Sequence, residues 1–86
     1  MKFNLEKPII GQNWYLVKGN ISNTITDERL VFAVNEREAS LKFNNIYNNC
    51  AYNLKVQLIG QVTEIDVQNW RIKMDHLNSL EQLDLL

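Results

Sequence analysis

Residues able to do chemistry are few in this chain. It has one cysteine and one histidine, so cysteine–histidine catalysis would rest on Cys50 with His76. Cys50 opens an alternating run on its apolar side, where a thiol acts as a small hydrophobe. Ser22, Ser40 and Ser79 are the only serines, and none sits in a glycine-rich elbow. One histidine and one cysteine make no metal-ligand cluster. Glycines at 11, 19 and 60 build no phosphate loop. Glu64 and Asp66 share one face if their segment is a strand, and such a pair on a half-exposed strand is simply solvated. These residues predict no catalytic site, no metal and no cofactor, hence a non-enzymatic protein.

Aromatic residues carry the binding signals. Trp14 and Tyr15 are adjacent, so on a strand only one of them can face the core. Tyr47 stands among asparagines, and Leu85 with Leu86 forms an apolar tail. Exposed aromatic and apolar groups of this kind mark protein interfaces. A second pattern, Phe43 beside Lys42 and Trp70 beside Arg71 and Lys73, matches the way OB-like barrels stack single-stranded nucleic acid. With ten acids against nine bases the basic groove for that task is missing, so nucleic acid is the weaker expectation.

These groups must be positioned by a small scaffold. Eighty-six residues with 45% hydrophobic and 22% charged content describe one domain with a thin core. A single cysteine excludes an intrachain disulfide framework. The longest apolar run, residues 30–34, is too short to span a membrane, and the first eight residues lack a signal-peptide stretch. The expectation is therefore a cytoplasmic protein with no membrane partner. Twelve asparagines against three glycines make asparagine the turn residue, since it tolerates left-handed backbone.

Periodicity predicts a mainly β (α+β) fold. Residues 1–12 are a lead-in and 13–74 carry strands, at 14–18, 21–26, 29–34, 39–43, 50–58, 61–67 and 70–74. Of these, 29–34 is apolar on both faces and is expected at the centre of the sheet. Residues 75–86 form one short helix, capped by Asp75 and striped by Leu77, Leu80 and Leu83. The expected architecture is an antiparallel meander or barrel-like sheet of six to seven short strands with that C-terminal helix.

The order of Trp14-Tyr15-Leu16-Val17, Asn49-Cys50, Arg71-Ile72-Lys73-Met74 and Leu80-Glu81 resembles the META (HslJ-like) domain over residues 14–86. The chain lacks that family's Gly-Cys-Asn motif and stops short of its final strands. The resemblance implies a stress or envelope protein of unknown biochemistry, with open sheet edges left for a partner or second copy to cover. Read from its residues, the chain is expected to be a stoichiometric inhibitor, an immunity or phage counter-defence protein, or an accessory subunit. It would act by steric occlusion through a strand edge or the patch of Trp14, Tyr15 and Tyr47. A homodimer through a sheet edge or the Leu85-Leu86 tail is expected alongside.

Overall fold

The computed structural model describes residues 6–84, with side chains described through Leu80. Five elements follow one another: β1 (Asn13–Asn20), β2 (Thr26–Ala33), α1 (Glu36–Ile46), β3 (Tyr52–Gln61) and α2 (Glu64–Asp84). The strands form one antiparallel sheet in the order β2-β1-β3. This overturns the expected six to seven strands with a single helix. The central strand is β1, and the doubly apolar segment around residue 30 lies on an edge.

Alternation along β1 and β2 builds the core. Tyr15 pairs with Val31 and Asn13 with Ala33. Tyr15, Val17, Val31 and Ala33 are buried on one face against Ala39 and Phe43 of α1. Half-buried Leu54 and Val56 of β3 and Tyr47 close this cluster. Trp14 and Phe32, out of phase by one residue, point to the other face and meet edge to face at 5.7 Å.

The segment 39–43, expected as a strand, lies inside α1. Asn35 caps that helix in extended backbone, its side chain accepting from the Glu38 amide at 2.9 Å. Glu36 and Glu38 place negative charge at the positive end of the helix dipole. Ala39, Phe43 and Tyr47 then fall four residues apart on one face. Over five residues the alternation of Ala39, Leu41 and Phe43 fits a strand as well as a helix, and packing on the sheet decides between them. Asparagine takes every left-handed position among the described non-glycine residues: Asn48 (φ 55°) and Asn49 (φ 61°) in the turn after α1, and Asn53 (φ 54°) within β3.

The strands expected at 61–67 and 70–74, and the helix start at Asp75, give way to one helix that begins eleven residues earlier. The Asp66 carboxylate reaches back over the start of α2, accepting from the Thr63 amide at 2.8 Å and from its hydroxyl at 3.2 Å, which supplies one half of a capping box. Val67, Trp70, Met74 and Leu77, spaced three and four apart, form the covered or half-covered stripe. Ile65 and Ile72 face solvent at 67% and 68% exposure. Trp70 and Met74 of the expected strand 70–74 belong to that stripe, and Ile72 does not. The stretch 21–26, expected as an edge strand, is the hairpin connection up to Ile25, with Ser22 accepting from the Ile25 amide.

No Cα of α2 comes within 8 Å of a Cα in the other elements, among the described residues. Side chains alone join this helix to the rest. At about 1.5 Å per residue its length is near 31 Å, and the molecule is drawn out to 44 × 31 × 15 Å. The radius of gyration is 15.0 Å, against roughly 12 Å for a compact chain of this length. No described helix is long and apolar enough to cross a membrane.

Candidate functional site

The stand-off of α2 leaves a cleft of about 680 Å³ beside β2. Leu30, Val31 and Phe32 of β2 form its floor, with Trp14 of β1 at the end. One wall is Lys42, Asn45 and Ile46 of α1, and the other is Asp66, Asn69, Trp70 and Lys73 of α2. Leu30 (54% exposed) and Ile46 (48% exposed) stand at its rim. Trp14 and Trp70 line this concavity together with Phe32, whose ring is nearly buried at 6% exposure.

Two polar anchors set the walls. The Trp14 indole Nε1 donates to Asp66 Oδ2 at 3.0 Å, tying the first turn of α2 to the end of the central strand. The Thr63 amide first, and then the Trp14 indole, hold the Asp66 carboxyl below its ordinary range, because both bonds favour the anion. On the other wall, Lys42 Nζ donates to the Phe32 carbonyl at 2.7 Å and lies 4.0 Å from the centre of the Phe32 ring. It also pairs with Glu6 at 3.3 Å and Glu38 at 3.7 Å. Lys42 is thus satisfied. Lys73 makes no ion pair among the described residues and is the uncommitted charge on the cleft.

No protein-family model, curated protein or solved structure matches this chain.

The sequence-derived residues fall in different places. Trp14 lines the cleft. Tyr15 is buried in the core behind it and presents no surface. Tyr47 is half-buried and engaged: its hydroxyl donates to the Asp27 carboxylate and accepts from Arg29 Nε at 2.8 Å, with the Arg29 guanidinium 5.6 Å from its ring centre. That network fastens the end of α1 to β2. Leu85 and Leu86 lie outside the described residues. Of the base-stacking set, Phe43 is fully buried, Trp70 and Lys73 line the cleft, and Arg71 is exposed on α2. Glu64 and Asp66 occupy the first turn of a helix and Asp66 serves as cap.

Cys50 is exposed in the turn before β3, its thiol 3.6 Å from the Asn48 carbonyl. This corrects its reading as a buried hydrophobe. No bond links it to His76 among the described residues, and no described group of three or more His, Cys, Asp or Glu could hold a metal. Phe32, Leu30 and Ile46 were not singled out from sequence. The available signal was Thr63-x-x-Asp66, which begins α2 ahead of Trp70 and so brings Trp70 alongside Trp14.

Proposed function

We propose that this chain is a non-enzymatic protein-binding module that receives an apolar segment of its partner in the cleft between β2, α1 and α2, and acts by occluding that segment. The observation carrying this reading is the cleft itself: Trp14, Phe32 and Trp70 gathered in one concavity with Leu30 and Ile46 exposed at its rim. Buried aromatic anchors inside a polar margin are the arrangement that dominates protein interfaces. The expected patch of Trp14, Tyr15 and Tyr47 is therefore re-centred on Trp14, Phe32 and Trp70. Asp66, Lys42 and Glu6 already satisfy one another or the scaffold, which leaves Lys73 to select partner chemistry. An apolar segment with an acidic neighbour fits.

The test is capture from an extract of the source organism with four proteins: wild type, Leu30→Glu, Ile46→Glu, and Arg37→Glu outside the cleft. The expected result is one stoichiometric protein retained by wild type and Arg37→Glu and lost with both cleft variants. Both cleft substitutions fall on exposed side chains, so folding is kept, as circular dichroism would verify. A partner held equally by all four proteins would refute the cleft as the binding site.

A further inference from the structure

Because β1 is central, the sheet has two open edges, and they are protected unequally. The β2 edge carries Asp27, Glu28 and Arg29 in succession, and Lys42 caps the Phe32 carbonyl. Charges and capped carbonyls are the usual means of keeping an edge from pairing. The β3 edge has less of either, with one charge and no capped carbonyl among the described residues. Its ten residues, YNLKVQLIGQ, contain one charge, Lys55. Among the described residues no side chain bonds to its backbone, and Leu58 and Ile59 stand 57% and 53% exposed. An edge ten residues long, with Leu58 and Ile59 exposed and no capping contact among the described residues, is open to pairing with another strand.

The irregularities of β3 specify which strand. Its register with β1 slips twice. Ile59 is left without a partner between Leu58 and Gly60, and a second slip falls between Lys55 and Tyr52, where Asn53 has φ 54°. Positions 53 and 59 are each three residues from Val56, so the regular stretch is symmetric about that residue. An antiparallel strand of the same sequence, centred there, sets Val56 against Val56 of the second copy and Leu54 against its Leu58, twice over. All these side chains lie on the α1 face, since Val56 pairs with Val17 and Leu58 with Tyr15. The thin core would continue across the junction. On the opposite face Lys55 meets Gln57 of the second copy, so no like charges oppose.

We propose that two copies of this chain pair along β3, antiparallel about a two-fold at Val56, joining their sheets into one of six strands. The cleft beside β2 stays open on each outer side.

The test is sedimentation equilibrium at low salt on the full chain and on variants at positions 55 and 57, whose side chains are exposed and outside the core. Wild type is expected at twice the 10.1 kDa chain mass. Gln57→Lys opposes two lysine pairs and weakens the dimer about fivefold, while Gln57→Glu creates two ion pairs and tightens it by a similar factor. The double variant Lys55→Glu/Gln57→Lys exchanges the charges and restores at least wild-type affinity. A monomer at every concentration overturns the proposal, and so does a dimer that ignores all three variants. A dimer dissociated by Leu30→Glu would place the contact at the cleft and overturn it too. Loss of partner capture with an intact dimer would leave this pairing standing while sinking only the cleft reading.

Discussion

At Gly19 β1 lies close to both β3 and α1. A Cβ added there would lie 2.4 Å from Leu54 Cδ2 and 2.9 Å from Phe43 Cε1, with the Tyr52 carbonyl oxygen at 3.5 Å. Two opposing terms govern Gly19→Ala. Replacing a strand glycine by alanine gains about 0.5–1 kcal/mol through the unfolded chain. Overpacking costs about 1–3 kcal/mol where neighbours cannot yield. Phe43 is fully buried and clamped between Ala39 and Tyr47, its ring 5.0 Å from that of Tyr47, so it cannot yield cheaply. Leu54 is half-buried and lies nearest of all, so part of the cost falls on displacing it. The net expectation is a loss of about 1 kcal/mol, or about 4–8 °C in melting temperature for a domain of this size. Total stability is of order 4–13 kcal/mol, so the shift is readily measured. Thermal melts by far-UV circular dichroism on Gly19→Ala, Leu54→Ala and the double variant form a cycle. The double variant should lose less than the sum of the singles by about 1 kcal/mol, because truncating Leu54 removes the closest clash. A Gly19→Ala protein that melts at or above wild type, or strict additivity, would refute the close approach of β1, β3 and α1.

The other expectations concern the helices and the thiol. Asp66 has its carboxyl held low by Thr63 and Trp14, so its contribution is present above the ordinary aspartate value of about 3.9 and is lost as pH falls through the lowered folded value. Melting temperature followed from neutral pH into that acid window should fall less steeply for Asp66→Asn than for wild type, and equal slopes would show that the carboxylate does not anchor α2. Asn35→Ala removes the α1 cap and should cost about 1 kcal/mol, with Asn35→Asp close to neutral; equal urea midpoints for all three proteins would dismiss the cap. Exposed Cys50 should react with a disulfide reagent in the native protein without a lag, and a lag matching global unfolding would place it inside.

Some features were legible because they are local. Asparagine at left-handed backbone positions follows from its own side chain, and it occupies positions 48, 49 and 53. The strand nature of residues 14–18 and most of 50–58 came from aromatic and β-branched content and sustained alternation. Both helix starts were written as Asn35-x-x-Glu38 and Thr63-x-x-Asp66, yet short runs such as Ala39-Ser40-Leu41-Lys42-Phe43 satisfy a period of two and a period of 3.6 alike. In α2 the same ambiguity made Trp70, Ile72 and Met74 one strand face, although Ile72 ends in solvent and Met74 is buried.

The sequence by itself determined the scarcity of catalytic side chains, the asparagine turn after α1 and the aromatic content from which the cleft is made. Tertiary structure decided that residues 39–43 are helical, because the capped helix and the sheet it covers bury Phe43 together where a lone strand would bury half of it. It also decided that Tyr15 goes inward while Trp14 faces the cleft and bonds to Asp66. Adjacent residues on a strand must take opposite faces, and which face becomes interior depends on where α1 docks, while the Trp14 indole reaches Asp66, 52 residues further along the chain. That pairing of distant residues is not written in any local pattern.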